Sequence, residues 1–452
     1  MPNVLMLCYY YPPLGGIGSQ RSQKFASYLP DHGWHPIVLT PERGAYMVDN
    51  SLDDGKSKGV EVVRTPYVDL SSGFKRAMKA GTPAGESLQN GNGNLRPARG
   101  SRVVNLLRRT VRTCVYIPDG QVGWYPYAVR AGRREIERQN VDAIYSSSFP
   151  VTAHMAACRL KATTNKPWIA DFRDLWTENH YADYSSSMRK RLDQVIESEL
   201  LEKADVIITV SNAWADTLRR MTGGRKRVEV IRNGFDAGEF AQIKRNRLEK
   251  WAITYVGNFY GAKQDPSVFL EALRRLIDDG QIMKGDALVN IIGAPDPFVQ
   301  DLVTQFDVAD ITNFTGFISH GESLRHQVNS SLLLLIVHGD KANSGLIPGK
   351  LYEYLGSRRP ILAIIPADFE ASRIIRETRA GVAVEASDAN GIKQALLDSY
   401  SAYKAGVTRS NGECELSAYE RKHGAAQLAR MLTELTSESK TVFSESLISS
   451  IK

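Results

Sequence analysis

One stretch, residues 345–365, constrains the fold of this chain more than any other. It reads G-L-I-P-G-K-L-Y-E-Y-L-G-S-R-R-P-I-L-A-I-I and follows the apolar run 332–337. An apolar run, a glycine-bearing loop, a short helical segment and a second apolar run predict strand, loop, helix and strand. Pro348 suits the first helical turn, where its missing N–H leaves no bond unmade, and Gly356 suits the helix stop.

The loop and helix start in this stretch are suited to bind an anion. The amides near residues 345–349 would lie at the positive end of a helix beside the Lys350 ammonium, and such a helix end attracts phosphate. Glu353 follows one helical turn later, where its carboxylate could accept hydrogen bonds from sugar hydroxyls. The alternative is an ordinary crossover unit in which Lys350 and Glu353 only pair with each other on a solvated face.

The start of the chain predicts a similar unit. An apolar strand at 4–10 breaks at two prolines and runs into the turn G-G-I-G at 15–18, an amphipathic helix and the strand 36–40. This order is a Rossmann-like beginning. Adjacent Gly15 and Gly16 would let a ligand's phosphate or sugar approach the backbone, although the same glycines also suit a simple tight turn.

Strands and helices then alternate in two blocks. The predicted strands are 142–146, 168–170, 205–210 and 228–231 in the first block, and 253–256, 288–292 and 311–314 in the second. The polar segment 237–250 has no apolar period and is expected to link the blocks. We therefore predict an α/β protein of two Rossmann-like domains, 1–240 and 251–410. A helical segment 411–435 is expected to cross back to the first domain, and the Ser-rich tail 436–452 to be disordered.

The charge of the chain favours an anionic partner. The net charge is +7 over 452 residues, and the bias peaks in 75–138, where thirteen Lys or Arg stand against four acids. Residues 103–116 interleave Val and Leu with Arg108, Arg109 and Arg112, which is typical of a basic helix lying on an anionic bilayer, or of a solvated basic face. We expect 102–112 to meet an anionic membrane surface. Nucleic acid is not expected, because no recognisable binding module is present.

Cysteine usage and hydropathy indicate a cytoplasmic protein. The cysteines, Cys8, Cys114, Cys158 and Cys414, form no C-x-x-C pair, so neither a disulfide framework nor a zinc site is indicated. The sequence has no signal-peptide pattern at its start and no run of ~18 apolar residues. We therefore expect neither export nor a membrane span, and a location in the cytoplasm, peripheral on the inner face of the cell membrane.

Polar residues follow the predicted strand 168–170 in the order Asp171, Phe172, Arg173, Asp174. Open parallel sheets place ligand contacts at the carboxyl ends of their strands, so these side chains are candidates for a site. His154 lies in the preceding helix, where a lone histidine is more often structural.

With these residues in place, the chain resembles the family-four retaining nucleotide-sugar glycosyltransferases, which have two Rossmann-like domains facing across a cleft, the GT-B fold. The resemblance rests on Y-Y-P-P-L-G-G-I-G, D-F-R-D-L-W, I-R-N-G-F-D, Y-V-G-N-F-Y and P-G-K-L-Y-E-Y-L-G-S-R-R-P-I-L, in this order along nearly the whole chain. It implies that the C-terminal domain holds the nucleotide diphosphate, that the N-terminal domain holds the acceptor, and that no metal or cofactor is needed.

The resemblance also implies roles for individual residues. Gly16 would contact the donor, Glu353 the nucleotide ribose, and Lys263 the diphosphate, because Asn258 replaces the family's usual arginine. His154 would lie near the transferred sugar, while Asp171, Arg173 and Asp174 would line the cleft. The full set of candidate donor-binding residues is Gly15, Gly16, Gly257, Asn258, Lys263, Ser344, Gly345, Leu346, Gly349, Lys350 and Glu353.

One departure from the family concerns the donor sugar. The family has two glutamates eight residues apart; Glu353 matches the second, but Gly345 stands at the first. A glycine there offers its amide and some space, and the N–H groups of Gly345 and Leu346 can only donate. We therefore expect a modified hexose, N-acetylated or 6-deoxy, on a uridine nucleotide.

The leading functional prediction is a metal-independent transfer of a sugar from a UDP-sugar to a saccharide or lipid-linked acceptor with retained configuration, in polysaccharide assembly. Helix amides and basic side chains would stabilise the leaving diphosphate. A sugar-nucleotide epimerase or hydrolase on the same fold is one alternative. A catalytically silent nucleotide-sugar-binding scaffold is another, because fold does not fix function.

Overall fold

The structure, a computed structural model, describes residues 1–14, 17–42, 59–69, 116–179, 184, 186–259, 264–339, 343–407 and 415–450. The chain divides into two compact units. The first comprises residues 1–210, 217–229 and 428–452, and the second comprises residues 211–216 and 230–427.

The first unit is built on a parallel sheet. Its strands are β1 (Asn3–Cys8), β2 (His35–Pro41), β3 (Glu61–Thr65), β4 (Ala143–Ser148), β5 (Trp168–Phe172), β6 (Val206–Thr209) and β7 (Arg227–Val230). The accompanying helices are α1 (Ile17–Tyr28), α2 (Tyr125–Arg138), α3 (Thr152–Thr164), α4 (Ser187–Lys203) and α5 (Asn212–Met221). The residues of α5 up to Asp216 belong to the second unit, and the rest of this helix belongs to the first. Among the described residues this sheet has seven strands in the order β3-β2-β1-β4-β5-β6-β7. Its strand order reverses between β1 and β4, where open α/β sheets form a ligand crevice.

The second unit repeats the plan. Its strands are β8 (Trp251–Val256), β9 (Ala287–Ile292), β10 (Thr312–Gly316), β11 (Leu332–Ile336), β12 (Ile361–Ile364) and β13 (Gly381–Val384). Its helices are α6 (Ala237–Ala241), α7 (Ser267–Asp278), α8 (Pro297–Gln305), α9 (His320–Val328), α10 (Gly349–Ser357), α11 (Glu370–Glu377) and α12 (Ala389–Lys404). The strand order in the described residues is β10-β9-β8-β11-β12-β13, which reverses between β8 and β11.

Alternation along each strand divides the core of the second unit into two layers. Leu332, Leu334 and Ile336 of β11 pack on one face of the sheet with the apolar side of α7. Leu333 and Leu335 pack on the opposite face with α10 and α11. Both faces are apolar because helices cover both sides of a parallel sheet, so its strands read as continuous hydrophobic runs.

Three expectations about element boundaries need correction. Residues 230–240 belong to the second unit, and the segment 237–250 begins with the helix α6. Gly356 does not end α10, because the helix continues to Ser357 and Arg358 adopts the left-handed conformation, with φ 56°. Gly356 instead lies against Phe240, whose ring would be 2.4 Å from a Cβ at this position. Glycine is therefore needed there for close packing.

The end of the chain also differs from the prediction. A single helix, α13 (Arg421–Ser450), continues through most of the segment expected to be disordered. Extending an existing helix requires no new nucleation, and Glu, Lys and Leu between the serines favour continuation. Residues 421–427 belong to the second unit and the remainder to the first.

Candidate functional site

Glycines stand at the carboxyl ends of the neighbouring strands β8 and β9. Gly257 has φ +115° and Gly293 has φ +146°, values that side-chain-bearing residues rarely adopt. A Cβ on Gly293 would lie 2.4 Å from the Gly257 carbonyl oxygen, so the two backbones can approach only because this side chain is missing. The Asn258 Oδ1 accepts a hydrogen bond from the Ala294 amide at 2.9 Å and fixes the turn after β8.

Lys350 lies beside these glycines and belongs to the helix that follows a neighbouring strand of the sheet. Gly349 and Lys350 open α10, which follows β11, and β11 lies next to β8 in the sheet. The Lys350 Nζ lies 3.9 Å from the centre of the Tyr255 ring, and would be 3.0 Å from a Cβ on Gly257. Burial lowers the pKa of Lys350 to about 7, partly opposed by the charge of Glu353. The environment of Lys350 is therefore not the solvated helix face on which Lys350 and Glu353 would only pair with each other.

Glu353 lies one turn further along α10 and keeps part of its carboxylate open. The Gln327 Nε2 donates to its Oε2 at 2.9 Å, and the His320 Nδ1 lies 4.0 Å from its Oε1. The side chain is 24% exposed. The His320 Nε2 lies 3.2 Å from the Glu239 Oε2, and this hydrogen bond raises the pKa of His320. Glu353 is thus held in place while one oxygen can accept a further bond.

The loop before α10 corrects the expected properties of Gly345 and Leu346. A Cβ on Gly345 would lie 2.6 Å from the Trp214 Cδ1, so the expected free space is occupied by an indole ring. The Leu346 amide donates to the Asn343 carbonyl at 2.8 Å and is already used within the loop. The Ser344 carbonyl accepts from the Glu370 amide, also at 2.8 Å. These groups shape the loop.

In the first unit, Asp171 is buried and paired. Its Oδ2 accepts from the Arg21 Nε at 2.8 Å and from the Tyr145 hydroxyl at 2.5 Å. Both the Arg21 and the Asp171 side chains are nearly inaccessible, at 3% and 0% exposure. Asp171 is buried because Arg21 of α1 supplies a cation that pairs with its carboxylate. The expected role of Asp171 in lining the cleft stays a prediction.

His154 is also fully buried. Its Nδ1 lies 2.7 Å from the Ser146 hydroxyl, which accepts in turn from the Trp168 indole at 2.8 Å. Its ring packs 4.5 Å from the Phe172 ring, centre to centre. Burial lowers the pKa of His154 to about 3, so the imidazole is neutral at physiological pH. This arrangement is typical of a structural histidine, which was one of the two interpretations of His154 from the sequence. The role of His154 near a transferred sugar stays a prediction.

Arg173 and Asp174 lie at the open end of β5. The Arg173 guanidinium lies over Gly18, where an added Cβ would come 1.4 Å from its Nη1. The Arg173 Nε lies 3.3 Å from the Asp174 Oδ2, and the two side chains are 15% and 38% exposed. Gly18 thus leaves room for the partly exposed Arg173 guanidinium at the first turn of α1.

Several predicted residues lie outside the described ranges, and several useful residues were not predicted. Gly15, Gly16 and Lys263 fall outside them, as does the basic segment 102–112. The structure adds Tyr255, Gly293, Gln327 and Trp214 to the second unit's site. Tyr255 and Gly293 were detectable as residues at strand ends, whereas nothing local in the sequence marks Gln327 or Trp214.

Two further properties concern the described residues only. In this part of the chain, no helix is long and apolar enough to cross a membrane. Within the same ranges, no group of three or more His, Cys, Asp or Glu side chains is placed to hold a metal ion.

Comparison with known sequences gives partial matches. Residues 90–239 match the sequence model described as Glycosyltransferase Family 4. The chain is 23% identical over 208 residues to the putative colanic acid biosynthesis glycosyltransferase WcaL of Escherichia coli strain K12. This alignment covers 44% of the chain and 48% of the relative, so the chain spans about half the length of the curated protein it matches.

Comparison with solved structures covers both units. Anabaena HepE in complex with UDP and glucose is similar with a TM-score of 0.60 and 13% identity, over 96% of this chain and 100% of that one. A putative UDP-N-acetylglucosamine 2-epimerase from Listeria monocytogenes has a TM-score of 0.52 and 11% identity, over 97% of each chain. The prediction of two Rossmann-like domains of the GT-B type is confirmed, and the comparisons together support a glycosyltransferase.

Proposed function

We propose that this protein is a retaining glycosyltransferase that moves a sugar from a UDP-linked donor to a saccharide or lipid-linked acceptor in polysaccharide biosynthesis. The observation that carries the proposal is the position of Lys350 beside Gly257, with Glu353 one turn further along α10, where the strand order of the second sheet reverses. Open α/β sheets bind nucleotides at such reversals.

The chemistry of these groups matches the parts of a nucleoside diphosphate. Without side chains at Gly257 and Gly293, the ends of β8 and β9 come close together and the Lys350 ammonium lies against the turn, so the cation is placed at the carboxyl ends of these strands. The Lys350 ammonium supplies the positive charge, and the start of α10 supplies the favourable end of a helix dipole. Glu353, one turn away with an open oxygen, suits the hydroxyl groups of a ribose.

The same groups suit the transfer step. The bond between the sugar C1 and the diphosphate oxygen breaks, a bond between C1 and the acceptor oxygen forms, and the acceptor proton leaves on the departing diphosphate. Lys350 and the helix amides would stabilise the charge that develops on that leaving group. Attack from the face that the diphosphate vacates retains the anomeric configuration. We propose that this charge stabilisation needs no bound metal.

The names of the similar proteins support the reaction class. The relative WcaL is described as a putative colanic acid biosynthesis glycosyltransferase, and HepE was crystallised with UDP and glucose. The similarity to an epimerase means that the fold alone does not choose among reactions on a UDP-sugar. The choice therefore has to be made by a product assay.

The deciding experiment incubates the purified protein with UDP-glucose, UDP-N-acetylglucosamine, UDP-N-acetylgalactosamine and GDP-mannose, with and without a membrane lipid extract. A transferase releases UDP mainly when the extract supplies an acceptor. An epimerase yields an isomeric UDP-sugar without free UDP, a hydrolase releases UDP without acceptor, and a scaffold binds the nucleotide and releases nothing. Lys350→Met serves as the site control and Lys250→Met, at an exposed lysine before β8, as the matched control.

We further propose that residues 102–112 bring the enzyme to anionic membranes on the cytoplasmic face. The support is the sequence pattern alone, since this segment lies outside the described residues. Each basic residue near such a surface contributes about 1 kcal/mol. Replacing Arg108, Arg109 and Arg112 by Gln should release most of the protein from phosphatidylserine-containing liposomes, and sedimentation that ignores both this change and salt would contradict the proposal.

A further inference from the structure

Trp214 occupies the place beside the loop 343–348, before α10, where a residue at position 345 would put its side chain. A Cβ on Gly345 would lie 2.6 Å from the Trp214 Cδ1 and 2.7 Å from its Nε1, closer than real Cβ atoms come. The Ala213 Cβ would be 3.1 Å away. A glutamate therefore cannot stand at 345 while the indole is present.

The indole remains available to a ligand. Gly345 is buried, whereas Trp214 is only half-buried. Within the described residues the Trp214 Nε1 has no hydrogen-bond partner. This N–H can donate a bond beside an aromatic face.

A buried carboxylate holds Trp214 and the loop together. Glu370, with a side chain 4% exposed, accepts from the Asn212 amide at 2.8 Å and from the Ala213 amide at 3.3 Å, at the start of α5. Its own amide donates to the Ser344 carbonyl at 2.8 Å. One residue thus binds both the helix turn that carries Trp214 and the loop that carries Gly345.

We infer that Trp214 is a specificity-determining residue that selects an N-acetylated donor sugar; this rests on the proposed function. A carboxylate only accepts hydrogen bonds and so selects sugar hydroxyls, whereas an indole presents one N–H donor and an apolar face. Its complement is a carbonyl oxygen next to a methyl group, as in an acetamido substituent. Where the resembling family has an acid that accepts hydrogen bonds from the sugar, this chain has Gly345 and the Trp214 indole, which donates one. The sugar must therefore present an acceptor instead of a donor.

The test measures kcat/KM for UDP-N-acetylglucosamine, UDP-N-acetylgalactosamine and UDP-glucose in Trp214→Phe and Trp214→Ala. Trp214→Phe keeps an aromatic face but loses the N–H, so the preference for the better N-acetylated donor over UDP-glucose should fall about three- to tenfold, the effect of one neutral hydrogen bond. Trp214→Ala should lower it further. The Kd of UDP alone should stay within about twofold in both variants, because Lys350 and Glu353 remain in place.

A double variant tests the geometry directly. Gly345→Glu alone should abolish donor turnover, because the new side chain collides with the indole. Combining Gly345→Glu with Trp214→Ala makes room for the acid, and the double variant should recover turnover and now prefer UDP-glucose. Trp214 has no specificity role if the donor preference is the same in wild type, Trp214→Phe and Trp214→Ala while thermal melting confirms that all three are folded.

The result separates this inference from the proposed function. If UDP binds but no UDP-sugar is turned over, the proposed transfer is wrong. The donor preference is then measured as the ratio of Kd values for the N-acetylated donors and UDP-glucose, and a ratio that is the same in wild type and in the Trp214 variants overturns the role of Trp214. If neither UDP nor any of these UDP-sugars binds to the wild-type protein, both proposals fall.

Discussion

The Lys350 ammonium lies 3.9 Å from the centre of the Tyr255 ring, with Gly257 directly beside it. Burial lowers the pKa of this lysine to about 7, so that at neutral pH it is close to half-protonated. A cation over an aromatic face is attracted to the ring, which partly offsets the loss of hydration. At neutral pH part of the protein therefore carries the Lys350 ammonium, and a bound diphosphate would favour this charged form.

We predict that UDP binding takes up a proton at pH 8. The free site binds few protons there, because pH 8 lies above the lowered pKa of Lys350, whereas a bound dianion favours the ammonium and raises that pKa. Affinity should therefore fall as the pH rises through and beyond about 7. Calorimetry in two buffers of different ionisation enthalpy measures the uptake. Equal binding heats in both buffers, or an uptake that survives Lys350→Met, would contradict it.

The same group should destabilise the folded protein at neutral pH. Its folded pKa, about 7, is below its unfolded value of 10.5, so between these values the unfolded state binds more protons and stability rises with pH. Lys350→Met removes the burden of a buried charge and should raise the melting temperature at pH 7 while weakening UDP binding. The gain should shrink when the comparison is repeated near pH 10, and Lys250→Met should change neither property.

The fold was largely predictable because the buried strands are continuous apolar runs. The run 332–337 became β11 (Leu332–Ile336), and 253–256 became most of β8 (Trp251–Val256). Helices on both faces of a parallel sheet leave this signal in the sequence. The short, partly exposed strand β13 (Gly381–Val384) carries a weaker signal and was not predicted.

The details of the site were less predictable because they depend on contacts between distant residues. Arg21 buries Asp171 from a position 150 residues away, and no local pattern shows that a carboxylate after a strand will turn inward. Trp214 fills the space beside Gly345 from another helix, while the sequence shows only that the glycine is present. Glycine itself is ambiguous, because Gly356 resembles a helix stop but serves close packing.

The buried ion pair of the first unit should be sensitive to loss of one partner. Asp171→Asn removes the carboxylate charge that pairs with the buried Arg21 guanidinium, and breaking a buried ion pair typically reduces the free energy of unfolding by about 3–5 kcal/mol. Asp174→Asn, in the same segment but 38% exposed, is the control and should change it by less than about 1 kcal/mol. Chemical denaturation followed by circular dichroism measures both. Similar losses of unfolding free energy in the two variants would show that the buried pair of Asp171 and Arg21 contributes no more than an exposed carboxylate does.

Gly18 should control the position of Arg173. A methyl group at Gly18 would meet the end of a flexible side chain, so Gly18→Ala should move the guanidinium with a stability change below about 1 kcal/mol. If Arg173 contacts a substrate, kcat/KM should fall in Gly18→Ala nearly as far as in Arg173→Gln. Gly120→Ala is the matched control, because an added Cβ there has no atom within 4 Å. Wild-type kinetics in Gly18→Ala together with a strong loss in Arg173→Gln would mean that the guanidinium tolerates displacement.

The last prediction concerns Glu353 and the nucleotide ribose. A charge-assisted hydrogen bond contributes about 1.5–3 kcal/mol, so Glu353→Gln should weaken UDP binding by about one to two orders of magnitude. The wild-type protein should also bind UDP more tightly than 2′,3′-dideoxy-UDP, and that preference should disappear in Glu353→Gln, because the two changes remove the same bond. Gln327→Leu, which removes only the neighbour that orients the carboxylate, should give an intermediate loss. Glu271→Gln, at a 45% exposed glutamate of α7, should have no effect. Calorimetry with both nucleotides decides the matter: additive losses for the side-chain and ribose changes would place the ribose elsewhere, even if Glu353 supports the site.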